Sequence, residues 1–324
     1  MARKYPKHLA LFFLSTSVIV GAADESVIDT GKVVEYYDEE DYVNLGSIGS
    51  GMFGGVSKVR EKKTGKIYAL KTFLPGLEGY VHATKEINAL KRLNHKNIVK
   101  MIANNIENRR KDKDVHIVLE CMPCDLNDVL NNPKTKENIR EILHQILEGV
   151  AHIHSKKLAH RDIKPENILI DLKKLSVKIC DFGKCREGRR EGFFFGELPI
   201  DGYCKDISRI VDLMGYFYLG VSFSDWDCLG LFSIDGVDVF VEAQKKSVTL
   251  DRSFKAFCRE MEGVISKNGM DLFLQLVSAE RTGGCTTVAE ALKHPFFTEG
   301  REQDPRPKRE SDVQEPKRRR LCSG

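Results

Sequence analysis

Four short stretches of this 324-residue chain carry residue types that could handle a phosphorylated ligand. Asp181-Phe182-Gly183 puts a carboxylate on a glycine turn, an arrangement suited to a magnesium ligand. Ile48 leads into Gly49-Ser50-Gly51-Met52-Phe53-Gly54-Gly55-Val56, a G-x-G-x-x-G whose backbone could approach phosphate closely. That spacing alone is weak, because dinucleotide-binding folds share it; there, however, the glycines open a helix, whereas here a strand follows. Ala69-Leu70-Lys71 places a cation 22 residues after Gly49. His160-Arg161-Asp162-Ile163-Lys164-Pro165-Glu166-Asn167 then sets a carboxylate, an ammonium and an amide close together, with Asp181 21 residues beyond His160.

The surrounding patterns supply elements that can position these groups. Val56 and Val59 mark one strand and Ile67, Ala69 and Leu70 the next, with Thr64-Gly65 at the turn, so the glycines sit at the mouth of an antiparallel hairpin. Ala83, Ile87 and Leu90 have helical spacing, and VHIVLECM reads as a buried strand. Ile139, Ile142, Leu143, Ile146, Leu147, Val150 and Ile153 form one face of a long helix. Strands first and helices later predict a small sheet-rich lobe followed by a larger helical one.

From about Tyr42 to Phe297 these motifs, in this order, resemble the eukaryotic protein kinase family. The resemblance implies an α+β, bilobal fold, with a β-rich lobe over 42–120 and a helical lobe over 125–297. It also implies ATP and magnesium as cofactors, and roles for individual residues. Lys71 would hold the α- and β-phosphates, braced by Glu86, with Ile48, the Gly49–Val56 loop, Ala69 and Leu169 enclosing the nucleotide. Glu120 to Met122 would form the hinge along the adenine edge. Asp181 and Asn167 would bind magnesium, Asp162 would orient the acceptor hydroxyl, and Lys164 would neutralise the transferring phosphoryl group. In this family a Lys two residues after the catalytic Asp typifies the Ser/Thr kinases, so the implied partner is a protein Ser or Thr.

KEINALKRLNHKNIVKM, CDLNDVL and AEALKHPFF look most like the cyclin-dependent kinase-like branch. A cyclin-like activator would follow, although the helix motif that binds cyclin is not legible in GLEGYVHATKEI. The chain departs from the family between Asp181 and Asp206, the residue expected to anchor the catalytic loop, for the interval is only 25 residues. Ala-Pro-Glu is missing there, and so is the Arg that would pair with its Glu: Gly283-Gly284-Cys285 stands in that place, with Arg281 nearby. Tyr203 is the only phosphorylatable residue between Asp181 and Ile207, and Met52-Phe53 replaces a phosphorylatable pair in the glycine loop. Phe193-Phe194-Phe195 would pack where the lost loop lay or present a partner surface. Two readings therefore stand: a Ser/Thr kinase with a shortened activation segment, or a nucleotide-binding scaffold without a substrate platform.

Charge separates few functions. With 51 Lys+Arg against 47 Asp+Glu, the net charge of +4 gives no reason to expect a nucleic-acid partner. Nine scattered cysteines read as reduced thiols, and Cys121 and Cys124 have no second pair at zinc spacing. Residues 1–22 have the layout of a secretory signal, too short for a membrane span; a cytosolic extension is the alternative, and a signal would make a secreted effector. Residues 23–41 read as an acidic linker and 298–324 as a solvated basic tail. The tail's Pro316-Lys317-Arg318-Arg319-Arg320 resembles a nuclear-import cluster, so the two ends point to different compartments.

Overall fold

Alternating apolar residues in the first half of the chain do form strands, and they assemble on both sides of one helix in sequence. In the computed structural model, residues 35–51, 54–108, 113–188, 202–220, 258–279 and 287–299 are described, all in a unit that begins at Val34. Strands β1 (Glu35–Tyr36), β2 (Tyr42–Gly51), β3 (Gly54–Glu61) and β4 (Ile67–Phe73) precede helix α1 (Leu77–Arg92); β5 (Met101–Asn104) and β6 (Val115–Glu120) follow it. They make one six-stranded sheet in the order β1-β5-β6-β4-β3-β2. Pairing is antiparallel except at β1, which runs parallel to β5 with Glu35 opposite Ala103.

The acidic linker expected over 23–41 is corrected at its end. Glu35–Tyr36 extends the sheet, Tyr37 is buried, and its ring stacks on Tyr42 and leans on His116. A local count of acids misses this because one tyrosine finds an apolar slot beside Val59, Leu70, Ala103 and Val118, supplied by strands far along the chain. The rest of the linker, the signal-like segment and the basic tail beyond Glu299 lie outside the described residues.

The helical part opens with β7 (Cys124–Asp125), α2 (Pro133–Glu137) and α3 (Ile139–Ser155). The chain then forms β8 (Leu158–Ala159), β9 (Ile168–Asp171), β10 (Ser176–Ile179) and β11 (Arg186–Glu187), which pair as a β10-β9-β7 sheet and a β11-β8 ribbon. Helices α4 (Gly202–Leu219), α5 (Lys267–Ala279) and α6 (Val288–Ala291) complete it, α6 starting at a Thr287–Glu290 capping box. Among the described residues no helix is long and apolar enough to cross a membrane.

The apolar stripe predicted on α3 is its buried face, and it packs with Ile168, Ile170, Val177, Ile210 and Phe273 into one continuous core. That core reaches under the sheet to Ile87 and Leu90 of α1. Arg92 pins the far end of α1 to the helical part, with a 2.6 Å ion pair to Glu187 and a hydrogen bond to the Lys156 carbonyl. Structure also continues past the expected domain end at Phe297: Arg140 holds the carbonyl and carboxylate of Glu299.

Ile146 is wholly buried, so Ile146→Ala should lower the unfolding free energy by about 2–5 kcal/mol. Denaturant titration measures this, and a loss below about 1 kcal/mol would show that α3 is not the centre of the core.

Candidate active site

The sheet, the segment after β6 and the β9–β10 hairpin enclose a cleft of about 1090 Å³. Sixteen of the expected site residues line it. They are Ile48, Gly49, Ser50, Gly51, Gly54, Gly55 and Val56 from β2 and β3, Ala69 and Lys71 from β4, and Glu86 from α1. Glu120 and Met122 follow from the strand end, with Asp162, Asn167, Leu169 and Asp181 from below. Lys164 stands outside the lining, 3.7 Å from Asp162 Oδ2. Met52 and Phe53, at the loop tip, lie outside the described residues, as do Phe193-Phe194-Phe195, Arg281 and Gly283-Gly284-Cys285.

Lys71 is the hub of the upper half. Its Nζ lies 2.6 Å from Glu86 Oε2 and 2.9 Å from Asp181 Oδ1, joining β4, α1 and the Asp181-Phe182-Gly183 turn. Burial alone would loosen the lysine proton, but the two carboxylates outweigh it and hold the ammonium above the ordinary lysine range. Burial likewise works against ionised Asp181, yet Lys71 and the Gly183 amide keep this carboxyl below the usual carboxylate range. Glu86 is fully buried at the helix face expected for it.

Below the cleft, the 160–167 loop is held by a carboxylate from α4. Buried Asp206 accepts the His160 amide at 2.8 Å, the Arg161 amide at 2.6 Å and His154 Nε2 at 2.9 Å. Arg161 needs this hold, because its φ of 68° lies in the left-handed region that disfavours a non-glycine residue; Asp181, at 62°, shares that strain. Fully buried His160 bridges the two strained sites: its Nε2 donates to the Cys180 carbonyl at 2.9 Å, and its Nδ1 accepts the Asp162 amide at 3.2 Å. One donor and one acceptor require the neutral ring, and burial holds its pKa below the ordinary histidine value. Phe182 seals the arrangement by packing edge-on against that ring, 4.8 Å between centroids.

Asn167 donates its side-chain amide to the Asp162 carbonyl at 2.7 Å and to Asp162 Oδ2 at 3.1 Å. Both bonds use the NH2 group, which leaves the amide oxygen as a donor atom for a cation. That oxygen and the Asp181 carboxylate form the hard, all-oxygen set that magnesium accepts, so these residues fit the ion. At the other end of the cleft the chain leaves the sheet after Glu120, whose carboxylate is tied to the Lys100 amide and Lys178. Cys121 and Cys124 line the cleft as free thiols, with pKa values that burial raises.

Several cleft residues were not foreseen, Asp125 and Lys184 among them. Asp125 stands just past the hinge on β7, and its position directly after the Met122-Pro123-Cys124 bend was the available signal. Lys184 reaches back from beyond the Gly183 turn to place Nζ 2.8 Å from Asp162 Oδ1. Its place next to that glycine hinted at proximity, but only the fold shows that it meets Asp162.

The shortened interval after Asp181 has a definite base. The chain leaves at Gly188 and returns at Gly202, where a Cβ would stand 3.6 Å from the Gly188 carbonyl oxygen. At Gly188 a Cβ would fall 2.0 Å from the Tyr203 ring, which also packs 4.5 Å from His154. Gly188 and Gly202 therefore lie side by side, with the Tyr203 ring filling the space that a side chain at Gly188 would need.

Residues 42–196 match the protein kinase domain family. Human cyclin-dependent kinase-like 2 is 39% identical over 153 residues, covering 45% of this chain and 30% of that protein. Mouse cyclin-dependent kinase-like 4 is 39% identical over 153 residues, covering 45% and 43%. The Neurospora crassa serine/threonine-protein kinase bur1 is 36% identical over 185 residues, covering 54% and 32%. The chain thus spans less than half the length of these relatives.

Removing the charge from Asp206 should loosen the loop: Asp206→Asn weakens the acceptor of one buried and one part-buried amide, costing on the order of 2–4 kcal/mol in denaturant unfolding. The His160 ring supplies a second check. Its depressed pKa means that the unfolded chain binds the proton more readily. Stability is therefore fully present above about pH 6.5 and lost as pH falls through the folded value. NMR titration should show this ring titrating below the ordinary histidine value; an ordinary titration near 6.5 would contradict the assigned bonds.

Proposed function

We propose that this chain, which through residues 42–196 belongs to the protein kinase family and resembles its cyclin-dependent kinase-like branch, transfers the γ-phosphate of ATP to Ser or Thr hydroxyls of proteins. One observation carries the reading: the Lys71–Glu86–Asp181 cluster and the Asp162–Asn167 pair face the same cleft. Phosphoryl transfer asks a protein for position and charge rather than covalent chemistry.

In this reading the glycine hairpin covers the nucleotide, Val56, Ala69 and Leu169 flank its ring, and the backbone from Glu120 to Met122 meets the adenine edge. Lys71, kept charged by its two carboxylates, holds the α- and β-phosphates. Asp181 and Asn167 hold magnesium, which when bound offsets charge on the β- and γ-phosphates. Asp162, fixed by Asn167, accepts a hydrogen bond from the acceptor hydroxyl and aligns it with the γ-phosphorus. Lys164 lies on the Oδ2 side, where it can neutralise the phosphoryl group in flight.

The short interval from Asp181 to Asp206, which lacks Ala-Pro-Glu, favours a second reading, a nucleotide-binding scaffold that no longer docks a substrate. Regulation by a cyclin-like partner has support in an apolar face: Leu74 and Leu77 are exposed by 57% and 80% at the start of α1, beside half-exposed Tyr80. Pressure there would move the helix that carries Glu86.

Full-length protein incubated with labelled ATP, magnesium and a mixed protein pool should label Ser and Thr, and Asp162→Asn should reduce the rate about 10²- to 10⁴-fold. Equal labelling by both proteins would refute the role of Asp162. ATP binding by both without transfer by either would establish the scaffold instead.

A further inference from the structure

We propose that Lys184 sets the acceptor preference of this chain, favouring a Ser or Thr with an acidic residue directly beside it. The inference rests on the phosphoryl-transfer reading and deepens it.

The carboxylate of Asp162 has a partner on each oxygen. Oδ2 receives Asn167 at 3.1 Å, with Lys164 at 3.7 Å, while Oδ1 is taken by Lys184 at 2.8 Å. Two ammonium groups therefore flank one carboxylate. Lys164 has work at the phosphoryl group, which leaves Lys184 as the second cation at the place where an acceptor hydroxyl must arrive. A hydroxyl arriving at Oδ1 competes with it for the same carboxylate oxygen, and a neutral hydroxyl does not compensate the ammonium for the share of the anion it gives up.

Displacement is mechanically easy. The Lys184 side chain is 56% exposed, and a four-carbon stem lets the head swing without repacking. The displaced ammonium is best stabilised by a carboxylate arriving on the same segment as the hydroxyl, in the position next to the acceptor. Oδ1 of the nearby Asp181 is already engaged by Lys71.

The test uses the full chain, ATP, magnesium and two labelled peptides that differ only in Glu or Ala beside the acceptor. Wild type should favour the Glu peptide by about fivefold to tenfold in kcat/KM, carried by KM, as an exposed charge pair of modest strength would give. The ratio should fall toward one in Lys184→Gln and in high salt, and return in Lys184→Arg. An unchanged ratio in Lys184→Gln, or no preference in wild type, overturns the proposal. If wild type transfers phosphate to neither peptide, the transfer reading fails separately, and fluorescence anisotropy with the same peptides decides this one. Tighter binding of the Glu peptide that is lost in Lys184→Gln supports it; equal binding overturns it.

Discussion

A single ammonium, that of Lys71, fixes the relation between the parts of this molecule. It lies on a central strand in a site that burial makes hostile to charge, and it stays charged only because two carboxylates reach it. Neither belongs to its own strand: Glu86 comes from α1 and Asp181 from the turn after β10. The ion cluster is therefore satisfied only when the sheet, the helix and the lower hairpin are all in place. Removing one partner from such a cluster leaves an uncompensated buried charge, which is costly enough to make the alignment all-or-none.

The lower half repeats the principle with backbone in place of side chains. Arg161 and Asp181 both adopt left-handed conformations, and each adjoins or supplies a carboxylate that lines the cleft. Strain of this kind persists only where neighbours over-determine it. Here Asp206 holds the Arg161 amide, while neutral His160 ties the Asp162 amide to the Cys180 carbonyl just before Asp181. The two strained residues are thus coupled through one buried ring, so that Asp162 and Asp181 are held in register with each other.

Cation placement distinguishes this cleft. Lys71 neutralises two acids, whereas Asp162 is met by Lys164 and Lys184 together. The surroundings of Asp162 are therefore richer in positive charge than the motifs alone imply.

Much of the fold was legible because its periodicities are strong. The α3 stripe, the glycine hairpin and the helix carrying Glu86 all lie where their patterns place them, since burial of one face dictates residue type along the element. The motifs that carry Asp162, Asn167 and Asp181 likewise marked groups that line one cleft. What escaped was set by contacts between distant segments. Tyr37 sits in an acid-rich stretch yet fills a slot made by four strands, Glu299 is held by Arg140 from another helix, and Lys184 meets a carboxylate 22 positions earlier. Sequence by itself determined which elements form and which side chains can do chemistry, because propensity and pattern act locally. The tertiary structure alone decided which charges face each other, because Coulomb interactions and desolvation depend on distances through space that no linear spacing records.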